Sequence, residues 1–306
     1  EGECKMWFLF ALLTTLSWGA ADLFYKKGSD SNDPYSHLKI VIMVGLVMGI
    51  HATAYMLIKG LSFDPFDLVK YLPVSALYIL SMTIGYIGLR YIELSIASPV
   101  QNSSGALTAI LLFIFFPQDL SALDIAGVIV VTTGVIGLAI LEKKQQTEAL
   151  KMANVQIEKK YQIGVLAITF PILYAIFDGL GTFADGIYLD EMKLISEDAA
   201  LIAYEYTFLI CAAAAYLYLR HKKEDFHLFK ERDKGLAAVL ETTGQFFYVF
   251  AMSGKAIIAA PMIASYSIVS VILSRLFLKE ILSRNHYLVI AWVLFGILIL
   301  GISDAL

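Results

Sequence analysis

The sequence predicts an all-α membrane protein, with about ten transmembrane helices forming two inverted five-helix repeats around a central cavity. Three observations carry this reading. The 306 residues are 58% hydrophobic and only 16% charged, where a soluble domain carries about a quarter charged residues, and the mean hydropathy is +0.72. Apolar runs of ~18 or more residues, long enough for a ~30 Å hydrocarbon core, recur along the whole length. The chain also repeats itself. In each half an aromatic residue stands four positions before an aspartate inside an apolar stretch, Trp18 before Asp22 and Tyr174 before Asp178. That spacing puts both side chains on one helix face.

Breaking the chain at charge clusters and at Gly, Pro and Asp punctuation gives the spans 7–25, 37–58, 72–91, 95–116, 123–141, 162–183, 198–218, 235–252, 256–277 and 286–304. Only helices fit, because the runs are too long and too evenly apolar for barrel strands. The first span has only Lys5 before it, contains Asp22 and ends in Lys26-Lys27, so no cleavable signal is expected. Cys4 and Cys211 do not make a disulfide framework. Most connections are short. The exceptions, 142–160 and 220–234, are rich in lysine and lie on the same side when ten spans are threaded. Lys26, Lys27, Lys279 and Arg284 fall on that side too, against Lys5, Lys59, Lys70, Lys193 and Lys255 on the other. The positive-inside bias places the long loops in the cytoplasm and both termini outside. The expected location is the plasma membrane of a bacterial cell.

The repeat extends well past the two aspartates. Ser95-Ile96-Ala97-Ser98-Pro99-Val100 matches Ile257-Ile258-Ala259-Ala260-Pro261-Met262, and Tyr86 and Tyr248 stand equally far before the two prolines. Ser103 then corresponds to Ser265, and Ser104 to Tyr266. Each copy closes with a glycine-punctuated apolar helix, around Gly127 and Gly137 and around Gly296 and Gly301. Residues 1–145 form the first repeat, 146–161 a basic linker and 162–306 the second repeat. Five spans is an odd number, so the second copy enters the membrane upside down. Inverted repeats of this kind place a binding site near the midplane between the copies.

The early Trp18-Gly19, the pair Ile96-Ala97-Ser98-Pro99 and Ile258-Ala259-Ala260-Pro261, and the ending Phe277-Leu278-Lys279-Glu280 resemble the drug/metabolite transporter superfamily in its ten-helix EamA-type branch. The resemblance covers essentially the whole chain. In the first copy Pro117-Gln118 stands where that family has a charged Gly-Glu or Lys-Glu ending. The resemblance implies a basket of ten helices with alternating access, and it implies no particular substrate.

Intramembrane carboxylates are expensive and mark functional sites by default. Asp22 and Asp178 lead as substrate-binding and proton-coupling candidates. Asp22 has a plain alternative, an ion pair with Lys26 one turn later. At the matching place Asp178 has only Thr182. Glu205 and Glu241 follow, each inside an apolar span with no base at helical spacing, unless they sit hydrated at an interface. Gln245 accompanies Glu241. Asp185, near its span's end, is expected to be solvated, and Lys255 and Arg90 to snorkel. Gln101, Asn102 and Ser103, with Ser265 and Tyr266 in the second copy, supply hydrogen-bonding groups for a ligand or for a neighbouring helix. Pro99 and Pro261 either occupy first helical turns or loosen helix ends. Trp18, Tyr86, Tyr174 and Tyr248 stand at repeat-matched positions and suit a cage for an organic cation, where most membrane aromatics simply pack.

Other chemistry finds little support. No Walker loop is present, His51 is a lone intramembrane histidine, and no nucleophile–base arrangement stands out. No metal, no cofactor, no nucleic acid and no enzymatic activity are therefore expected. The basic loops read as topology signals or lipid contacts. The expected function is a secondary active transporter of a small polar metabolite by alternating access, possible partners being that substrate, protons and membrane lipids. An amino acid, an amine or a cationic drug is favoured, because candidate acids outnumber candidate bases. The alternatives are a sugar or nucleotide-sugar transporter, a flippase for a lipid-linked precursor, and a receptor that binds without transport.

Overall fold

The computed structural model describes residues 6–116, 120–152, 157–280 and 282–305. Among these the elements are helical: α1 Trp7–Gly28, α2 Ser36–Lys59, α3 Pro65–Gly88, α4 Leu94–Asn102, α5 Ser104–Phe115, α6 Ala122–Met152, α7 Ile157–Gly186, α8 Glu197–His221, α9 Arg232–Ala264, α10 Tyr266–Leu273 and α11 Arg284–Ala305. A wide π-helical turn continues α7 over Ile187–Glu191, and another continues α10 over Ser274–Leu278. The helix starts follow local chemistry. Asp64 accepts a hydrogen bond from the Phe66 N–H at 2.9 Å, with Pro65 in the first helical position of α3. Ser196 caps α8 through the Ala199 N–H, with Glu197 and Asp198 in the first turn and Arg220 and His221 in the last, each sign suiting the helix dipole.

Two expectations about connections change. The described residues of 142–160 are helix rather than loop: α6 continues through Met152 and α7 begins at Ile157. The sequence after Leu141 contains Glu, Lys, Gln, Ala and Leu and neither Gly nor Pro, so helix propagates past the apolar span. Residues 153–156 of the expected linker, and Pro117-Gln118, lie outside the described residues. The expected gap between the eighth and ninth spans is also absent as a loop. Among the described residues nine helical stretches are long and apolar enough to cross a membrane, one of them the 47-residue Arg232–Leu278. At ~1.5 Å per residue that stretch exceeds twice a ~30 Å core, and Lys255 carries a non-helical backbone (φ −158°, ψ 75°) within it.

Contacts along α1 show that the chain reverses there. Trp7 lies against Gly254, Trp18 against Gly244, and Gly28 against Lys234, so residues 232–254 run antiparallel to α1. Gly19 lies against Val269 and Lys27 against the Phe277 ring, so the next arm runs parallel to it. The nine stretches thus account for ten crossings.

The same reasoning fixes the repeat geometry. Ser104 meets Asp178, Thr108 meets Gly179, and Leu112 lies beside Gly186, so α5 and α7 are parallel. Gly105 packs on Pro261 and Ala264, while Leu94 and Ser95 meet Glu280, so residues 94–115 oppose 256–280. Helix α7 is therefore antiparallel to α1, its counterpart. Packing follows the exchange: α1 with 232–254 and α7 with α3, α2 with α8, α6 with α11.

Outward faces carry Ile50, Leu57, Ile58, Leu288, Leu298 and Ile302, exposed as lipid requires. Between helices, where lipid removes the hydrophobic drive, close van der Waals contact holds the bundle. A Cβ at Gly45 would lie 2.4 Å from the Phe208 carbonyl oxygen and 2.5 Å from Ala212 Cβ. Gly45→Leu should therefore wedge α2 from α8 and cost ~1–3 kcal/mol or more. Thermal unfolding in detergent checks this, and an unchanged Tm would contradict the close approach.

Candidate functional site

The helix breaks position the site. Helices α4 and α5 are separated at Ser103, and α9 and α10 at Ser265. At each break the serine hydroxyl turns back on the carbonyl three residues earlier, Ser103 on Val100 at 2.7 Å and Ser265 on Met262 at 2.5 Å. Each break comes four residues after a proline that lies inside its helix, Pro99 or Pro261. Neither proline occupies the first helical position. The ring removes a backbone donor, and the serine competes for a helix carbonyl. The two loosened helices face each other across the middle of the bundle.

Between them and α1, α3, α7, α8 and α9 lies a cavity lined by Trp18, Asp22, Tyr86, Gln101, Asn102, Tyr174, Asp178, Glu241, Gln245, Tyr248 and Tyr266 among others. Asp22 Oδ2 accepts from the Ser98 hydroxyl at 2.6 Å and from the Ser270 hydroxyl at 2.7 Å. One carboxylate oxygen thus ties α1 to the broken helices of both repeats. Asp178 Oδ2 accepts from the Ser104 hydroxyl at 2.7 Å. Glu241 Oε2 lies 3.4 Å from the Tyr25 hydroxyl, which in turn accepts from Tyr86 at 3.1 Å.

Aromatic rings form the rest of the wall. Trp18 stacks on Tyr248 with centroids 5.0 Å apart, and Tyr266 meets it edge-on at 5.8 Å. The Trp18 indole N–H donates to the Glu241 carbonyl, and Gly244 leaves room for the ring, since a Cβ there would fall 2.3 Å from Trp18 Cδ1. Three carboxyl groups line the cavity, and no lysine, arginine or histidine does among the described residues. The free space is about 60 Å³, room for about four to six waters at ~10–15 Å³ each. A larger molecule enters only as the helices part.

Some expected site residues lie elsewhere. Ser103 and Ser265 bond their own helices. Glu205 is fully buried behind the cavity wall, 2.8 Å from His51 of α2, which is therefore paired rather than alone. Lys26 does not pair with Asp22. Its ammonium donates to the Leu89 and Ile92 carbonyls at 2.8 and 2.5 Å. Asp185, expected to be solvated, has no solvent exposure and accepts from the Tyr71 hydroxyl. Its helix runs several residues past the expected end at 183, which draws the acid inside.

Ser104, the last of the polar run 101–104, lines the cavity, which also recruits Tyr25, Tyr78, Thr182 and Tyr204, residues the sequence reading did not single out. A usable signal existed for two of them. Tyr25 is one turn from Asp22, and Tyr78 begins a face of α3 that continues through Met82, Gly85 and Leu89. Tyr204 gave none, because it is the only contribution of α8 to the lining.

Residues 5–140 match the model of the EamA-like transporter family, consistent with the drug/metabolite transporter superfamily. That family consists of membrane transporters of the drug/metabolite type. No curated protein matches the chain. Among 28 matching chains of solved structures is one described only as "Crystal structure of protein". It aligns with a TM-score of 0.64 and 14% identity, over 98% of this chain and 97% of that one. At that identity the likeness shows the fold.

Proposed function

With the EamA-like match of residues 5–140 as the premise, we propose that this chain is a secondary transporter whose central cavity binds a small organic cation, or the ammonium of a zwitterion, by alternating access. One observation carries the reading: Asp22, Asp178 and Glu241 share an aromatic cavity that holds no basic side chain among the described residues. Carboxylates meet the positive charge, and the faces of Trp18, Tyr248 and Tyr266 add cation–π attraction, worth ~2 kcal/mol when desolvated. An anionic nucleotide sugar would lack a fixed positive partner here. Exchange for protons follows the same logic, since a buried carboxyl group can hold a proton when no cation is present. The lysine-rich ends of the bundle face the cytoplasm in this reading.

Counterflow in proteoliposomes tests it. Vesicles preloaded with unlabelled choline or tetraethylammonium should concentrate the labelled form of the same cation, while glucose and glucose 6-phosphate should not exchange. Exchange of the sugars but not of the cations would defeat the proposal.

A further inference from the structure

We propose that Asp185 is a second proton site, separate from the cation-binding acids, and that it carries the coupling proton of the transport cycle. The inference rests on the transporter reading and adds a residue and a route to it. Asp185 lies on the same face of α7 as Asp178 and Thr182, seven and three residues beyond them, two turns and one turn nearer the end that carries Asp190. It does not line the cavity. The Tyr71 hydroxyl donates to Oδ1. Oδ2 accepts no hydrogen bond of regular geometry, although the Tyr248 hydroxyl is close enough to act on it.

The surroundings offer a charged carboxylate hydroxyl donors but no base among the described residues. Helix α3 contributes Tyr71 and Tyr78, α9 contributes Tyr248, and α8 contributes Tyr204 behind Tyr78. The π turn after α7 brings Tyr188, against Tyr71, and Asp190. Lys193 and Lys255 act on Asp190, nearer the end of the bundle. A buried carboxylate with no base beside it and an orphan acceptor oxygen is costly. Protonation removes the charge and turns Oδ2 into a donor that can reach the tyrosine pair.

That pair connects the acid to the cavity. Tyr78 bonds Tyr248, and its hydroxyl donates to Thr182 at 2.9 Å, and all three residues line the cavity wall. The step is a single proton transfer. The Asp185 O–H bond breaks, the proton leaves to water admitted when the Asp190 end opens, and a proton taken up later re-forms the bond. Nothing is oxidised or reduced.

Asp185→Asn tests this in reconstituted protein with two readouts. The first is the infrared difference between wild type and variant at neutral pH. The carbonyl stretch of a protonated carboxylic acid should be present in wild type and lost in the variant. The second uses labelled choline, a permanent cation whose own charge does not change with pH. The variant should keep choline counterflow within about twofold of wild type but lose accumulation driven by an imposed pH gradient. Wild-type accumulation in Asp185→Asn, or an unchanged infrared band, would overturn the proposal. Absence of counterflow in wild type itself, with the band intact, would sink the cation reading and not the proton site. Should Asp185→Asn fail to fold, Tyr71→Phe serves instead. It removes the one donor to Oδ1 and should shift the same band, and an unmoved band would count against the assignment.

Discussion

Asp178→Asn reduces cation uptake by about 10- to 100-fold and leaves the protein folded. The size follows from a hydrogen bond or close contact to a charged group, worth ~1.5–3 kcal/mol. The fold survives because the amide oxygen can still accept from the Ser104 hydroxyl, which now meets Asp178 Oδ2 at 2.7 Å. What disappears is the negative charge on α7 at the centre of the cavity. Ser104→Ala separates the two roles. It removes the hydroxyl, keeps the charge, and should change uptake far less.

Asp22→Asn has a second consequence. Both serine hydroxyls meet one oxygen, Oδ2, so an asparagine that keeps both bonds turns its amide N–H groups elsewhere. A neutral hydrogen-bond donor then replaces the second carboxylate oxygen. Labelled choline uptake into proteoliposomes measures both variants, and size-exclusion profile and Tm check folding. Wild-type uptake in Asp178→Asn would remove that acid from the binding site.

Much of this site was legible because the chain states it twice. Asp22 with Asp178, Tyr86 with Tyr248, and Ser103 with Ser265 stand at matched spacings, and helical periodicity puts the acid and aromatic members on inward faces. The two serines show the limit of that reasoning. Their correspondence was visible, but it marked matching helix breaks rather than ligand contacts, and only the geometry of the bend separates the two. Long-range partners leave no local trace. Nothing near Glu205 in sequence announces His51, 154 residues away. Nothing near Lys26 points to the Leu89 and Ile92 carbonyls. The depth of Asp185 was lost for another reason: helix α7 outruns its hydrophobic stretch, so hydropathy places the membrane edge too early. The reversal at Lys255 was legible even without a polar loop, since Ser253-Gly254-Lys255 divides the spans 235–252 and 256–277.

Releasing the latch at the lysine-rich end should shift the cavity toward that side. There the turn 89–93, which ends at the cavity-lining Leu89, is held from both repeats. Lys26 of α1 grips the Leu89 and Ile92 carbonyls. From the end of the α10 arm, Glu280 accepts from the Leu94 and Ser95 N–H groups at 3.2 and 3.0 Å. A carboxylate on the first N–H groups of α4 also meets the positive end of that helix. Each charge-assisted contact is worth ~1–2 kcal/mol. Removing both in Lys26→Met with Glu280→Ala should therefore move a closed–open equilibrium by ~2–4 kcal/mol, or about 30- to 1,000-fold.

A cysteine replacing Gln245, in a background where Cys4 and Cys211 are both alanine, reports the change through its labelling rate with a membrane-impermeant maleimide. The rate should rise from the lysine-rich side only, which in cells is the cytoplasm if the positive-inside assignment holds. Faster labelling from the opposite side would reverse the assigned orientation, and no change from either side would mean that these contacts do not close the cavity. pH adds a signed check. Burial first, and then the charge of Glu280, hold the Glu93 carboxyl above its ordinary range. The closed turn therefore binds more protons than an open, hydrated one, and closure weakens as pH rises through that raised value. Labelling from the lysine-rich side should accelerate over the same interval in the wild-type latch, and Glu93→Gln should flatten the response.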